Sequence, residues 1–194
     1  MPLYQKELED FQAKVAQLKR GTNVSTAVGG LNIKPWLAAP FKLISTNAET
    51  YEVKMGARVF TDRDFAIQRL APELNGLTGI RFSHEAAKKG FPPIEFEVAE
   101  PVQVLVGYFD SNQKAWLQVP RLETAAQADE RGGVEAVIEN AAIISSCPNV
   151  NVHAFRFGAG RQKLELIGKG SFVILGFVPQ SVQPGKRDAG VGAK

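Results

Sequence analysis

The sequence predicts an all-β fold, a β-sandwich or jelly roll, with one N-terminal α-helix. One observation is the stretch Ile94–Trp116, IEFEVAEPVQVLVGYFDSNQKAW, which contains two consecutive apolar strands. Another is that short apolar runs recur with turn residues between them, giving about eight to ten strands with turns roughly every 8–12 residues. The 18 glycines, 11 prolines and 12 phenylalanines also favour turns and strands over a helical bundle.

The two strands in this stretch have different patterns. Ile94–Val98 alternates apolar and acidic residues, which is typical of a strand with one buried and one wet face. Pro101 has no N–H to donate and interrupts the ladder. Val102–Phe109 follows as a strand rich in β-branched and aromatic residues, before Asp-Ser-Asn at 110–112 turns the chain. Two apolar strands this close predict the middle of an antiparallel sheet rather than its edge.

The remaining elements follow from the same rules. Leu3–Arg20 carries an apolar stripe at helical spacing and is followed by Gly21, a good residue after a helix end. The segments 158–160 and 168–170 are predicted to be hairpin-type turns, and Glu85–Lys89 a helical turn ending at Gly90. The further predicted strands are Trp36–Ile44, Thr50–Met55, Ala57–Phe60, Phe65–Arg69, Ile80–Phe82, Val134–Glu139, Val152–Phe157, Lys163–Ile167 and Ser171–Val178.

Three regions follow from this pattern. Residues 1–21 are predicted to form the N-terminal helix, and residues 31–179 the sandwich domain. Pro179 ends the last strand, and residues 180–194 are predicted to be a disordered basic tail, because they are polar and glycine-rich. The tail also supplies +2 of the chain's net charge of +3.

Charge and composition exclude several partners. With the tail set aside, the folded part is close to neutral, and no cluster of lysine and arginine with interleaved aromatics appears, so nucleic acid is not a predicted partner. No apolar run reaches the roughly 18 residues of a membrane span. The N-terminus lacks the apolar core of a signal peptide, although a trimmed leader or neighbouring domain would leave the same sequence.

Cysteine and histidine offer little chemistry. Cys147 is the one cysteine, so no disulfide or cysteine-based metal site forms within the chain. Its apolar surroundings favour a buried small residue over a nucleophile. The two histidines, His84 and His153, stand in no metal-binding motif, and His153 is predicted to be a satisfied residue of the sandwich wall.

The acidic residues offer two candidate sites. Asp62 and Asp64 flank Arg63 and could bind Ca²⁺ or a sugar hydroxyl, but two aspartates supply only part of the six or more oxygens that Ca²⁺ takes. The favoured interpretation is that Arg63 pins a strand end to a loop. Glu95 and Glu97 share the wet face of one strand, whereas a glycosidase needs two carboxyls facing each other across a cleft.

The predicted ligand site is a loop at one end of the sandwich. Sugar sites combine exposed aromatic faces with polar side chains that take the hydroxyls. Trp116, Asp110 and Arg121 supply these ingredients and are the predicted ligand-binding residues, although Trp116 could equally plug the end of the sandwich. Tyr108, Phe109, Trp36 and Tyr51 are the other aromatic candidates. No cofactor is predicted apart from a structural Ca²⁺ at Asp62 and Asp64.

Four runs of the sequence form a familiar pattern: KMGARVFTDRDFAIQRLAPELNGLTGIRF, IEFEVAEPVQVLVGYF, AWL and KGSFVILGFVP. Together they resemble galactose-binding-like β-sandwich domains, which accompany polysaccharide-degrading enzymes in bacteria. The matching positions are Gly56, Phe60, Asp62, Arg63, Gly76, Ile80, Phe96, Val98, Pro101, Val102, Val104, Val106, Tyr108, Gly170 and Leu175. The similarity covers roughly Tyr51–Val178, and Asp62 and Arg63 look like framework residues within it.

The resemblance implies an accessory module, periplasmic or extracellular, joined to a catalytic domain or a neighbouring chain. The first functional hypothesis is therefore a non-catalytic module that binds or positions a glycan. The second is a polysaccharide-active hydrolase or lyase on the same fold. It ranks lower because the sequence shows no facing carboxylates and only two histidines. The third is a structural or assembly domain without a ligand.

Overall fold

Strands dominate the part of the chain that the structure, a computed structural model, describes: residues 33–90, 93–109, 121–122, 136–167, 172–182 and 187–189. From Lys34 onward these residues belong to one compact unit. The described residues contain one helix, α1 (His84–Lys89), and a 3₁₀ turn, Pro72–Leu74. The strands are β1 (Lys42–Leu43), β2 (Ala48–Glu52), β3 (Ile67–Leu70), β4 (Thr78–Phe82), β5 (Ile94–Val98), β6 (Val102–Phe109), β7 (Arg121–Leu122), β8 (Ala136–Ile144), β9 (Asn149–Phe157), β10 (Gly160–Leu164), β11 (Leu166–Ile167), β12 (Phe172–Pro179) and β13 (Arg187–Asp188).

Within these ranges the strands form one large sheet, one small sheet and a ribbon. The large sheet has the order β13-β8-β9-β6-β12-β4-β2, with β3 also paired to β8. The small sheet has the order β1-β5-β10, and β7 pairs with β11. All pairings are antiparallel except that of β13 with β8. The all-β prediction is confirmed, whereas the jelly-roll connectivity stays a prediction.

The corner at Pro101 places the two central strands in different sheets. β5 lies between β1 and β10 in the small sheet, and β6 lies between β9 and β12 in the large one. Each strand is in the middle of a sheet, as predicted, but the two do not share one. The ring of Phe96 on β5 packs edge-on against Phe157 at 5.3 Å and Phe177 at 5.0 Å, and these contacts hold the two layers together.

The large sheet curls, so its central strands are covered on both faces. Every residue of β6 and residues 172–178 of β12 are buried. A hairpin at 56–67 links the two ends of the curl. Val59 N–H bonds to Phe65 O at 3.0 Å, and Thr61 N–H bonds to Phe82 O on β4 at 3.0 Å. On the other side, β3 pairs with β8 through Leu70 and Ala142.

Polar side chains also fix the ends of the large sheet. Gln103 on β6 is buried, and its amide donates hydrogen bonds to the carbonyl oxygens of Gln180 and Val182. The N–H of Gln180 in turn bonds to Pro101 O at 3.2 Å. The chain beyond β12 is therefore held against the corner where β5 and β6 meet.

Some predicted elements differ from the structure. Ala57–Phe60 forms only isolated bridges, at Arg58 and Phe60. Trp36–Ile44 forms a ladder only at Lys42–Leu43, and within this run Ala39 alone is fully buried. Its other backbone bonds are scattered, with Trp36 N–H to Glu73 O at 2.9 Å and Ala39 N–H to Phe177 O at 2.8 Å. Residues 158–160 do not form a hairpin within one sheet, because β9 lies in the large sheet and β10 pairs with β5 in the small one.

Some predictions fall outside the described residues. These are the helix Leu3–Arg20 and the turn at 168–170. Within the predicted tail, Arg187–Asp188 pairs with Ile138–Glu139 of β8, so this part of the tail adds a short strand to the sheet. Among the residues described, no helix reaches the length and apolarity that a membrane crossing requires.

Gly79 on β4 has no room for a side chain, which yields a stability prediction. A Cβ there would collide with the carbonyl oxygen of Ile174 and lie 2.7 Å from Cε1 of Tyr51, whose ring covers this glycine. Because a backbone oxygen in a paired strand cannot move aside, we expect Gly79→Ala to lower the free energy of unfolding by about 2–3 kcal/mol. Urea denaturation measures the change.

Gly158→Ala is the matched control for this substitution. A Cβ at Gly158 would have its nearest contact at 4.0 Å, to Nε2 of Gln162. We expect it to change the free energy of unfolding by less than about 0.5 kcal/mol. Equal stability of the two variants would show that the contact between β4 and β12 is looser than described.

Candidate functional site

The predicted Asp62 site is the cap of helix α1. Asp62 Oδ1 accepts the N–H of His84 at 2.7 Å. Its Oδ2 accepts the hydroxyl of Ser83 at 2.7 Å and the N–H of Glu85 at 3.1 Å. Ser83 Oγ accepts the N–H of Ala86 at 3.1 Å, so it serves as the N-cap. Both carboxylate oxygens of Asp62 are thus engaged at the first turn of the helix.

Arg63 and Asp64 make separate ion pairs beside this cap. Arg63 Nη2 lies 3.0 Å from Glu85 Oε2, and Lys88 Nζ lies 3.6 Å from the same oxygen. Asp64 Oδ1 lies 3.1 Å from Arg58 Nη2, and 85% of the Asp64 side chain is exposed. The Arg63 pair links the loop to the helix, in line with the framework interpretation of this motif.

The electrostatics of the cap follow from these contacts. Partial burial pushes the pKa of Asp62 upward, but hydrogen bonds from Ser83, Glu85 and His84 outweigh it and hold the pKa below its usual value. Lys88 lowers the pKa of Glu85, with help from Lys89 and Arg63. The carboxylates of this cluster are therefore held in their charged forms.

Metal binding at Asp62 and Asp64 stays a prediction. Within the described ranges, no three or more His, Cys, Asp or Glu side chains come together in a group that could hold a metal. Asp62 already accepts three hydrogen bonds, and Asp64 faces Arg58. A Ca²⁺ ion would have to compete with these partners and find further oxygens.

The predicted ligand loop lies largely outside the described residues. Asp110 and Trp116 are both outside them. Arg121 is described through its backbone, as the first residue of β7, where it pairs with Ile167 of β11. The structure therefore does not test whether these three residues form one site.

The predicted surface role of Glu95 agrees with the geometry. Glu95 and Glu97 alternate with the buried Ile94, Phe96 and Val98, so they point away from the core. Glu95 forms an ion pair with Arg161 on the neighbouring strand β10, with Nε at 3.0 Å from Oε2. A carboxylate held by an arginine on an outer face is not placed for glycosidase chemistry.

A row of polar side chains lies on one face of the large sheet. On β9, Asn149, Asn151 and His153 alternate with the buried Val150 and Val152 and are themselves half-buried. The same face continues to Phe155 and Phe157, which are buried. Since Phe157 packs against Phe96 of the small sheet, the small sheet covers the apolar end of this face, and the row lies beyond that end.

Local hydrogen bonds hold the row in position. Asn140 on β8 has a φ of 49°, in the left-handed region that asparagine tolerates. Its backbone N–H donates to Asn151 Oδ1 at 2.8 Å, and its Oδ1 accepts from Asn149 Nδ2 at 3.1 Å. The register of β8 on β9 shifts between Ile138 and Ala142, and this irregularity brings Asn140 to the row.

Tyr108 stands beside this row with an unusual hydroxyl. It pairs with Asn151 across the strands, and its ring lies 5.1 Å from that of His153. Only 3% of the residue is exposed, and its hydroxyl is buried with no hydrogen-bond partner in the part of the chain that the structure describes. Burial raises the pKa of this phenol, so it stays protonated.

An aromatic series runs from Tyr108 into the curl. Phe172 lies 6.5 Å from Tyr108, Phe82 lies 5.0 Å from Phe172, and Phe60 lies 5.9 Å from Phe82. Phe60 in turn lies 4.8 Å from His84. The polar row is therefore flanked by an aromatic wall on the same face of the sheet.

A cavity lies at the Pro101 corner. It has a volume of about 250 Å³ and is lined by Ala39, Pro40, Ala99, Glu100, Pro101, Val102 and Pro179. Leu37, two residues before this wall, is 75% exposed. The lining is apolar except for Glu100, so the cavity offers few groups to orient a polar ligand.

The sequence does not single out the polar row, because alternation alone is ambiguous. Asn-x-Asn-x-His over 149–153 looks like the wet side of any half-exposed strand. Its link to Asn140 and Tyr108 depends on pairings across three strands. Cys147 is half-buried rather than buried as expected, and His153 lies in the wall but contacts Tyr108.

Comparisons with known proteins find a structural likeness but no family. No protein-family model matches the chain, and no curated protein matches it. Among solved structures, the chain is similar to a GH138 enzyme targeting pectin rhamnogalacturonan II, with a TM-score of 0.68 and 27% sequence identity. The match covers 98% of this chain and 21% of the enzyme's chain. This chain therefore spans about a fifth of the length of that solved protein.

The capping role of Asp62 yields a prediction. Asp62→Ala removes the acceptor of three hydrogen bonds at the start of α1, so we expect the free energy of unfolding to fall by about 1–2 kcal/mol. Asp64→Ala removes only an exposed surface pair and should cost less than about 0.5 kcal/mol. Denaturation with and without added Ca²⁺ measures both. Equal Ca²⁺-dependent losses in the two variants would favour the metal interpretation instead.

The burial of His84 yields a pH prediction. Desolvation lowers its pKa below 6.5, and the charges of Lys88 and Arg63 lower it further against the opposing Asp62 and Glu85. As the pH falls, His84 is therefore protonated at a higher pH in the unfolded chain than in the folded one. Stability should be full above pH 6.5 and fall as the pH drops through the depressed pKa.

The variant His84→Phe separates this effect from other titrations. It keeps an aromatic ring beside Phe60 and Phe65 but cannot bind a proton. We expect its melting temperature to change less between about pH 7.5 and pH 5 than that of the natural chain. If the melting temperature of the variant changes with pH as much as that of the natural chain, groups other than His84 cause the pH dependence.

Proposed function

We propose that this chain is a non-catalytic module that binds or positions a glycan within a polysaccharide-degrading protein. The similarity to a segment of the GH138 enzyme, which targets a pectic polysaccharide, carries this proposal. Because that segment is about a fifth of the enzyme's chain, an accessory role beside a catalytic domain fits the proportions. The polar row fits the chemistry, since its half-buried asparagines are side chains of the kind that take sugar hydroxyls.

The carboxylates favour a binding module over a hydrolase. A glycoside hydrolase needs a general acid whose pKa is raised, placed opposite a second carboxylate. The pKa values of Asp62 and Glu85 lie below their usual range, which is the opposite of what a general acid requires. Several other carboxylates are bound by surface cations, including those of Glu49, Glu52, Glu95 and Glu165.

A second candidate function is docking to a neighbouring domain or chain. The apolar cavity at the Pro101 corner and the exposed Leu37 favour it, because exposed apolar surface beside a pocket is typical of contact sites. In this case the domain would position the catalytic partner without touching the glycan itself.

A glycan screen tests the proposal. The purified protein is titrated by calorimetry with pectic polymers, including rhamnogalacturonan II, and with unrelated polysaccharides as negative controls. We expect saturable binding to at least one polymer and no release of reducing ends during prolonged incubation. Release of reducing ends would instead support the hypothesis of a hydrolase. Release of unsaturated products would support the hypothesis of a lyase.

Two additional arms address the predicted site residues. Trp116→Ala, shown by its melting curve to be folded, tests the predicted loop site, and a series with EDTA tests the metal prediction at Asp62 and Asp64. Loss of binding in the folded variant would place the ligand on the loop. Absence of binding to every polymer, with no product formed, would leave the docking function standing.

A further inference from the structure

The polar row has a boundary that packing explains. Along one face of β9, side chains change from half-buried Asn151 and His153 to buried Phe155 and Phe157. The small sheet packs over the apolar end, where Phe96 contacts Phe157 at 5.3 Å. The polar end of the same face is half-buried and lies beyond this described contact of the small sheet.

The hydroxyl of Tyr108 is the second, independent observation at this place. A buried polar group without a partner costs free energy, and most such groups in folded proteins are satisfied. The Tyr51 hydroxyl on β2 shows the usual arrangement, since it donates to the carbonyl oxygen of Ile174 at 3.4 Å. Tyr108 has no such acceptor among the described residues, so its donor is buried and unsatisfied within them.

The row and the hydroxyl are adjacent. Tyr108 and Asn151 are directly opposite each other in the antiparallel pair of β6 and β9, and side chains at such positions lie about 5 Å apart. The ring of His153, at 5.1 Å from that of Tyr108, completes the group. One molecule seated on the half-buried residues lies beside the phenol.

The group contains no carboxylate, lysine or arginine and is rich in hydrogen-bonding atoms. Asparagine amides, an imidazole and a phenol both donate and accept, which matches vicinal hydroxyl groups. No arginine or lysine occupies the paired positions of β6 and β8 opposite residues 149–153 in the described registers. A uronate would be expected to face an arginine there, because arginine binds carboxylates through two hydrogen bonds.

We infer that Tyr108, Asn151 and His153 form the glycan-binding surface of this module and that it takes an uncharged sugar through vicinal hydroxyls. This inference rests on the proposed glycan-binding function. It assigns the site to the face of the large sheet rather than to the loop residues Trp116, Asp110 and Arg121. The Tyr108 hydroxyl bonds to a sugar hydroxyl, and the Asn151 amide group donates to a neighbouring one.

Tyr108→Phe is the sharpest test because it removes one oxygen and keeps the ring. Binding is measured by calorimetry against neutral oligosaccharides and against oligogalacturonates. We expect about tenfold weaker binding of the neutral ligand, the loss typical of one hydrogen bond to a desolvated group. The melting temperature of the free variant should equal or exceed that of the natural chain, since a buried unpartnered hydroxyl is removed.

Two more variants make the test specific. Asn151→Asp keeps an oxygen to accept the N–H of Asn140 but loses the amide donor, and it should also weaken binding about tenfold. Tyr51→Phe is the matched control, because it removes a buried hydroxyl of the same sheet that already has an acceptor. It should lower the melting temperature slightly and leave the affinity unchanged.

The outcomes separate the inference from the function on which it rests. Neutral-sugar binding that weakens in Tyr108→Phe and Asn151→Asp, but not in Tyr51→Phe, is the expected result. Natural affinity in both site variants would overturn the inference while leaving the proposed function intact, and would indicate a buried water on the phenol. Binding of oligogalacturonates alone would overturn the ligand class. If the natural chain binds no sugar at all, both the inference and the proposed glycan-binding function are wrong.

Discussion

The rest of the structure depends on the corner at Pro101. Proline donates no backbone hydrogen bond, so the ladder of β5 cannot run on through it into β6. The chain instead leaves the small sheet and enters the large one, and the N–H of Gln180 bonds to the Pro101 carbonyl at 3.2 Å. The two sheets are therefore joined directly at this point, with Phe96 and Phe177 in contact across them.

This arrangement determines where polar residues can stand inside the curl. Beneath the small sheet, the face of the large sheet must be apolar, as Phe155, Phe157 and Phe177 are. Farther along β9, asparagine and histidine replace phenylalanine on the same face. The candidate surface therefore lies beyond the described contact of Phe96 with Phe157.

Local signals in the sequence predict local structure well, whereas pairing between strands is beyond them. Ile94–Val98 and Val102–Phe109 form strands with the predicted bounds, Gly90 follows helix α1, and β12 ends at Pro179. Each of these depends on alternation, on a capping residue or on proline, which act within a few residues. The sheet to which a strand belongs depends on distant pairings, so the sequence could not indicate that β9 and β10 separate at Gly158.

The candidate site shows the same limit. The charged residues at 61–64 are adjacent in sequence, yet Asp62 accepts hydrogen bonds from donors 21 to 23 residues away. The members of the polar row and its phenol come from β6, β8 and β9, and no spacing in the sequence signals that the Tyr108 hydroxyl lacks a partner among the described residues.

The energetics of that hydroxyl explain how a weakly polar surface can select a ligand. Leaving a buried phenol unpaired costs about 1–3 kcal/mol in the free protein. A ligand that supplies the missing acceptor removes this cost, so the gain appears as affinity, whereas a molecule without a suitably placed oxygen obtains none of it. Since about 1.4 kcal/mol corresponds to a factor of ten, the proposed bond to the Tyr108 hydroxyl is worth about tenfold in affinity to a ligand that places an oxygen there.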